Sequence, residues 1–317
     1  MRTITALFVG LGSIGTRHLK NLANLCADRG WTLQADALRS DLTRPLRPGA
    51  AELLHAQYTD LTAAPAHYDM VFITNPTSLH AEALRQVKGR GEALFIEKPI
   101  FSAEQTGLAL DELLPAGQKA YVAAPMRWCG AMLALKDRLP ALHPYCARVI
   151  CSSYLPDWRP GVDYRTVYSA RKALGGGVTI DLIHEWDYLV ELFGVPEKLY
   201  NFKGTYSELE IDSDDLSVYI AKYPTLLAEV HLDYFGRGYR RSIELFCRDG
   251  SYLAGFGKGT LTLPDGTVQH YEEDVNRRYE REMEYFVDYA LTGCGESCNP
   301  PALALKVLKL TLGENVQ

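Results

Sequence analysis

Ile4-Thr5-Ala6-Leu7-Phe8-Val9-Gly10-Leu11-Gly12-Ser13-Ile14-Gly15 stands at the start of the chain, and its order decides the fold. The apolar run Ile4–Val9 predicts a buried strand. A glycine-spaced turn follows, and Gly15–Arg29 then reads as an amphipathic helix. In that context each glycine has a physical task. Gly10 permits the tight turn, Gly12 lets the backbone approach a pyrophosphate, and Gly15 lets helix and strand pack closely. The helix start, with Ser13 and Ile14, offers unbonded N–H groups and partial positive charge to phosphates. The expectation is the first βα unit of a dinucleotide-binding domain.

Working outward, further apolar runs predict strands at Thr32–Leu38, Met70–Thr74, Ala93–Ile96 and Ala120–Ala123, with helices near Ser78–Gly89 and Ser102–Leu114. This alternation is the mark of a doubly wound parallel sheet, a Rossmann domain over residues 1–123. After Arg127 the character changes. Arg148–Tyr154, Leu216–Lys222, Leu226–Tyr234 and Ser242–Arg248 predict strands, and Asp249-Gly250 and Asp265-Gly266 predict hairpins. Helices are expected at Thr179–Phe193, Arg277–Leu291 and Ala302–Leu312. Residues 124–317 thus read as an α+β domain with a largely antiparallel sheet, whose last helix packs back on the first domain.

A chain of 317 residues exceeds the usual single core, which agrees with two domains. Its net charge of −6 gives no clustered positive field for nucleic acid. No apolar stretch approaches the roughly 20 residues that span a bilayer, so a cytoplasmic protein without a membrane partner is expected. The seven cysteines are scattered and odd in number, which fits reduced thiols. Cys294 and Cys298 are close together but lack a second ligand pair, so no metal is expected.

The end of the second predicted strand reads Asp36-Ala37-Leu38-Arg39-Ser40. An acid at this place selects a free ribose 2′-hydroxyl, whereas an arginine accommodates a 2′-phosphate. Asp36 falls before the strand end, and Arg39 and Ser40 fall at it. The balance favours NADP over NAD.

Three features together carry a resemblance: the glycine turn Gly10–Gly15, Glu97-Lys98-Pro99 after a predicted strand, and Gly175-Gly176-Gly177-Val178-Thr179-Ile180-Asp181-Leu182-Ile183-His184-Glu185-Trp186-Asp187. The chain resembles the glucose–fructose oxidoreductase/inositol dehydrogenase/rhizopine-catabolism (Gfo/Idh/MocA) family over nearly its whole length. The spacing of Asp181, His184 and Glu185 is similar to a branch that often accompanies surface-sugar biosynthesis. The stretch from Ile73 to His80 is similar to the family's nicotinamide-side loop, which implies cofactor contacts from Asn75, Pro76 and His80. Where relatives often carry Asn-Leu-Arg-Phe-His-Pro, this chain reads Pro125-Met126-Arg127-Trp128-Cys129-Gly130, keeping Arg127 but altering the loop around any substrate contact it makes. The resemblance implies oxidation of a secondary alcohol on a sugar, cyclitol or nucleotide-sugar, and a homodimer or homotetramer built on the open face of the second sheet.

Hydride transfer needs a group that takes the hydroxyl proton and returns it in reverse. Lys98 suits this task at the carboxyl end of a parallel strand, where ligands gather. Asp181, His184 and Asp187 recur at a spacing of three on a predicted helix. His184 could share the proton with Lys98 across the two domains. Asp181 could orient His184 and hold a neighbouring hydroxyl, and Asp187 reads as a helix-stabilising residue. Glu97 braces the strand end or lies near the nicotinamide ribose. Tyr154, Trp158, Arg159, Tyr164, Arg165, Tyr168, Arg171 and Lys172 mix aromatic faces with cations, a surface suited to a sugar with phosphate or carboxylate, or else to packing between domains. His231, Asp233 and Tyr234 could lie on a strand facing the cleft. Two rival functions stay open: a lyase or glycosidase that retains its NAD, and a non-catalytic cofactor-sensing regulator.

Overall fold

In the computed structural model, which describes residues 2–292 and 295–316, the chain divides into two units. One runs to Ala123 and takes in Tyr279–Leu305; the other holds Ala124–Arg278 and resumes at Lys306.

Unit one contains β1 (Thr3–Val9), α1 (Ser13–Asp28), β2 (Thr32–Leu38), β3 (Leu54–Tyr58), β4 (Tyr68–Ile73), α2 (His80–Gln86), β5 (Gly91–Ile96), α3 (Leu110–Leu113) and β6 (Lys119–Val122). Its six strands are parallel, in the order β3-β2-β1-β4-β5-β6. Strand order reverses between β1 and β4, and the carboxyl edge at such a switch point is where doubly wound sheets bind ligands. The central strands are apolar on both faces, as a covered parallel sheet requires. Phe8 stacks on Phe72 at 4.4 Å, and Phe72 meets Phe95 at 5.3 Å. The helix predicted over Ser102–Leu114 is instead a short 3₁₀ turn at Ala103–Gln105, capped by Ser102, and the single turn α3.

Unit two contains α4 (Gly130–Arg138), β7 (Cys146–Tyr154), α5 (Val178–Asp181), α6 (His184–Phe193), β8 (Lys198–Gly204), β9 (Leu216–Lys222), β10 (Leu227–Asp233), β11 (Phe235–Cys247), β12 (Gly250–Gly255), β13 (Thr260–Thr262) and β14 (Val268–His270). Eight strands form one sheet, β14-β13-β12-β11-β7-β10-β9-β8, antiparallel except between β7 and β10. Ala147, Val149 and Cys151 of β7 and Ala228, Val230 and Leu232 of β10 are buried on one face, while Tyr200, Phe202 and Ile220 are exposed. This period of two marks a sheet covered on one side. Trp186 of α6 packs against Tyr219 at 5.1 Å as part of that cover. The single helix predicted over Thr179–Phe193 is broken between Asp181 and His184, giving α5 and α6.

Helices α7 (Asn276–Thr292) and α8 (Pro301–Thr311) close the chain. Within unit one, Phe286 of α7 meets Phe72 and Phe95 edge-on at 5.4 and 5.1 Å, and Glu282 accepts the Tyr121 hydroxyl at 2.8 Å. The sequence reading kept 124–317 together and returned only its last helix. The apolar face of α7 instead places 279–305 with the first unit, and the end of α8 serves the second, where the Thr311 carbonyl accepts the Tyr219 hydroxyl at 2.6 Å.

Candidate cofactor and substrate sites

The turn between β1 and α1 is built by close approach. A methyl group on Gly15 would lie 2.5 Å from the Gly10 carbonyl oxygen and 2.7 Å from Thr74 Oγ1. Those two atoms are joined, since the Thr74 hydroxyl donates to the Gly10 carbonyl at 2.6 Å. Gly10 itself has φ +89° and sits against Asn75. Gly12 differs: a methyl there meets no described heavy atom within 4 Å. The start of α1 has no side-chain cap and no acidic residue in its first turn, so its N–H groups point at open space beside an exposed Ser13. Asn75 Oδ1 is buried and has no hydrogen-bond partner among the described residues. Room above Gly12, uncapped donors and an orphan polar atom fit a dinucleotide phosphate group.

Strand β2 ends as the sequence suggested, but its polar residues divide their work. Asp36 is buried in the sheet, accepting the Tyr68 hydroxyl at 2.8 Å and lying 3.1 Å from His55 Nδ1. Arg39 stands at the strand end, donating to Gln57 Oε1 at 2.7 Å and to the Arg44 carbonyl. Arg39, Thr43, Arg44, Arg47 and Gly49 line a cavity of about 400 Å³ within unit one. Ser40 is exposed beside it.

His80 is fully buried, its ring nitrogens each 3.1 Å from a backbone carbonyl, Nδ1 to Ile100 and Nε2 to Asn75. Burial holds its pKa below the usual histidine range despite those carbonyls. It ties two loops together, a task the sequence reading had not given it. Pro76 opens the short 3₁₀ turn Thr77–Leu79 that leads into α2. Lys98 is half-buried at the carboxyl end of β5, its amide donating to Glu97 Oε2 at 3.1 Å.

In unit two, Asp181 is the centre of a hydrogen-bonded group. It accepts the Tyr168 hydroxyl on one oxygen and the Tyr234 hydroxyl on the other, the latter at 2.5 Å. Burial first, and then the Asp181 charge, push both phenols well above the usual tyrosine range, so both stay protonated donors. Asp214 secures the helix that carries Asp181, accepting the Thr179 amide at 2.9 Å and its hydroxyl at 2.5 Å. Trp158 meets Tyr234 edge-on at 5.2 Å and donates to Ser153 Oγ at 3.0 Å. The Arg237 guanidinium lies 3.8 Å over the Tyr154 ring. Trp158 and Tyr168 therefore border one group with Asp181 and Tyr234, while Tyr154 packs under Arg237. Tyr164 is turned elsewhere, its hydroxyl accepting the Glu210 amide at 3.2 Å.

Arg127 is 3% exposed and serves as a strut. Its Nε and Nη2 donate to Asp187 at 2.9 and 2.7 Å, and its Nη1 donates to Glu191 at 2.6 Å. Asp187 thus has the stabilising part read from its helix position. Glu185 is fully buried and accepts Arg241 at 2.7 and 3.0 Å, which anchors the first turn of α6 beside His184. His231 engages Asp233 at 2.9 Å, and Asp233 caps the turn into β11 by accepting the Gly236 amide at 2.7 Å. Of that trio only Tyr234 reaches Asp181.

Sequence reading missed Arg237 and His18. Arg237 lies between two glycines in Gly236-Arg237-Gly238, where the β7–β11 register shifts, and a glycine-flanked cation at a strand start was the available signal. His18 follows Gly15 by three residues on the buried face of α1. Among the described residues no group of three histidine, cysteine or acidic side chains could hold a metal, and no helix is long and apolar enough to cross a membrane. The Cys294–Cys298 pair lies partly outside the described residues; the Cys298 amide donates to the Tyr285 hydroxyl at 2.6 Å.

Comparison with known proteins agrees with this geometry. Residues 4–123 match the family model GFO_IDH_MocA, described as an oxidoreductase family with an NAD-binding Rossmann fold. Over that stretch the chain is similar to the Gfo/Idh/MocA oxidoreductases. Among curated relatives, an uncharacterized oxidoreductase, YrbE, of Bacillus subtilis (strain 168) is 27% identical over 308 residues, 90% of this chain and 86% of that protein. Inositol 2-dehydrogenase of Rhizobium meliloti (strain 1021) is 26% identical over 200 residues, 61% of this chain and 56% of that protein. Among solved structures, the WlbA dehydrogenase of Bordetella pertussis, in complex with NADH and UDP-GlcNAcA, superposes with a TM-score of 0.75 at 18% identity, covering 98% of this chain and 95% of that one. This last likeness supports the two-part fold of the chain, a parallel Rossmann sheet and a largely antiparallel second sheet.

Proposed function

We propose that this protein is a cytoplasmic dehydrogenase or reductase that interconverts a secondary alcohol and ketone on a sugar, cyclitol or nucleotide-sugar. The observation that carries the reading is the placement of Lys98 at the carboxyl edge of β5, one strand from the β1/β4 switch point whose turn is open above Gly12. A bound nicotinamide supplies the hydride acceptor or donor. Lys98 takes the carbinol proton during oxidation and returns it during reduction. Asp181, held by two tyrosine hydroxyls, keeps a fixed carboxylate for a sugar hydroxyl, and His184 hydrogen-bonds the reacting hydroxyl. Tyr154, Trp158 and Tyr168 offer faces to the ring carbons of a sugar, with Arg237 added for an anionic substituent.

NADP is the preferred cofactor in this reading. Asp36, the acid that would select a free 2′-hydroxyl, is committed within the sheet, and the cavity at the end of β2 is lined by three arginines. Dissociation constants for NADH and NADPH in Arg39→Ala test this: a ratio unchanged from the parent dismisses the assignment. The inositol dehydrogenase and the UDP-GlcNAcA complex among its relatives support a polyhydroxylated substrate. The exposed Tyr200, Phe202 and Ile220 suit burial against a second copy, and light scattering of Phe202→Glu tests that. The central test is cofactor reduction, followed by nicotinamide absorbance across a panel of sugars, cyclitols and nucleotide-sugars. Stoichiometric NADPH formation that Lys98→Met abolishes is the expected result. Turnover without net cofactor reduction points to the cofactor-retaining lyase or glycosidase, and undiminished turnover in Lys98→Met overturns the role of Lys98.

A further inference from the structure

Beside Lys98 lies a buried pair, His18 and Glu97. His18, on α1, is 1% exposed, and its Nε2 stands 2.6 Å from Glu97 Oε1. Glu97 is itself buried and turns its other oxygen to the Lys98 amide. The His18 ring is wedged between Phe95, at 4.6 Å, and Tyr279, at 6.1 Å. Its Nδ1 has no hydrogen-bond partner among the described residues. A helix that needed only packing here would carry a leucine. A buried imidazole with one orphan nitrogen is costly unless its other nitrogen does something in return.

What it does is hold a carboxylate. Burial alone would push the Glu97 carboxyl up, but the His18 hydrogen bond and charge, together with the Lys98 charge and amide, outweigh burial and hold it below the usual carboxylate range. The other groups facing the pair are His80 on α2, which senses the Glu97 charge, and the Tyr279 ring on α7, with the Arg17 guanidinium 4.5 Å over it.

We propose that His18 is a positioning residue for Lys98: through its bond to Glu97 it keeps a negative charge beside the residue that exchanges the substrate proton. The inference rests on the proton role assigned to Lys98 above. Without the His18 donor, a buried carboxylate with no strong partner takes up a proton. The Lys98 ammonium then loses an anionic neighbour and gives up its own proton at lower pH. Glu97→Gln removes the same charge directly while keeping the shape. The two changes act in series, so combining them adds nothing.

The test reads Lys98 without substrate. Reductive ¹³C-methylation of the whole protein gives dimethyl-lysine resonances, and the one lost in Lys98→Met identifies residue 98. His18→Leu and Glu97→Gln are each expected to move its titration midpoint down by about one pH unit. The double variant moves it no further, and His18→Gln, whose amide restores an N–H near the former Nε2, returns it. A fall in Tm with an unmoved midpoint is what a merely structural histidine gives, and it overturns the proposal. Should His18→Leu fail to fold, the isosteric Glu97→Gln decides alone. An unmoved midpoint while Lys98→Met abolishes turnover sinks this inference and leaves the functional reading standing. A moved midpoint with turnover retained in Lys98→Met sinks the proton role of Lys98, and this inference with it.

Discussion

Gly12 and Gly15 lie in one turn, yet alanine at each has a different consequence. At Gly15 the new methyl lies 2.5 Å from a backbone oxygen and 2.7 Å from the hydroxyl bonded to it, short of normal contact by roughly an ångström. Neither atom is the free end of a flexible side chain, so α1 must move off the sheet. Overpacking of this kind costs about 1–3 kcal/mol. At about 2 kcal/mol, Tm falls by about 4–8 °C. At Gly12, with φ −71° and ψ −160°, alanine is unstrained. The entropy it removes from the unfolded chain, about 0.4–1 kcal/mol, offsets its poorer capping of α1. The Gly12→Ala protein should melt within about 1 °C of the parent and bind NADPH at least about tenfold more weakly, a loss of about 1.4 kcal/mol. Scanning calorimetry of the apo proteins and titration calorimetry with NADPH measure both quantities. A well-folded Gly12→Ala protein with undiminished NADPH affinity would refute the reasoning, because the phosphates would then not pass over residue 12. An unchanged Tm in Gly15→Ala would refute the close-approach half.

Arg127→Met removes the two-pronged donor of the buried Asp187 and one of the cations that hold Glu191, and should cost about 3–5 kcal/mol in urea denaturation; unchanged stability with an altered KM would favour Arg127 as a substrate contact. His80 has a folded pKa depressed by burial, so its contribution is complete above the unfolded value of about 6.5 and drains as pH falls from there toward the folded one. The drop in Tm between about pH 7.5 and about pH 5.5 should therefore shrink in His80→Gln, and an identical drop in both proteins would remove His80 as its source. Phe286→Ala opens the aromatic group shared by α7, β4 and β5 and should cost about 3–5 kcal/mol by denaturant titration; a cost under about 1 kcal/mol would mean that α7 only rests on the sheet.

Local patterns carried most of the first unit. A strand, three spaced glycines and an amphipathic helix are contiguous, and each buried strand announces itself by an apolar run. Strand β3 stayed hidden because Leu54-His55-Ala56-Gln57-Tyr58 is a half-exposed edge with no such run. The break between α5 and α6 was invisible because Leu182 and Ile183 continue the helical pattern. Site residues divided on the same principle. Lys98 and Asp181 are singled out by motif and chemistry together, and the fold sets Lys98 at a strand end and Asp181 between two tyrosine hydroxyls. Arg127 and His80 read as ligand contacts, and Asp36 as an acid set back from the strand end, because sequence shows a polar group without showing its partner. Their partners, Asp187, the Asn75 and Ile100 carbonyls, and Tyr68, are fixed only by the fold.

The return of α7 to the first sheet also bears on how the protein is made. A ribosome that has released the whole βαβ series still lacks Phe286, Glu282 and the Asn299 carbonyl that accepts the Val122 amide at 2.9 Å. The nascent Rossmann sheet must therefore wait, its aromatic face uncovered, until nearly all of the second unit has been synthesised. Vectorial completion of the N-terminal domain is thus denied to this polypeptide, and any release before residue 299 leaves an apolar surface for chaperones to shield.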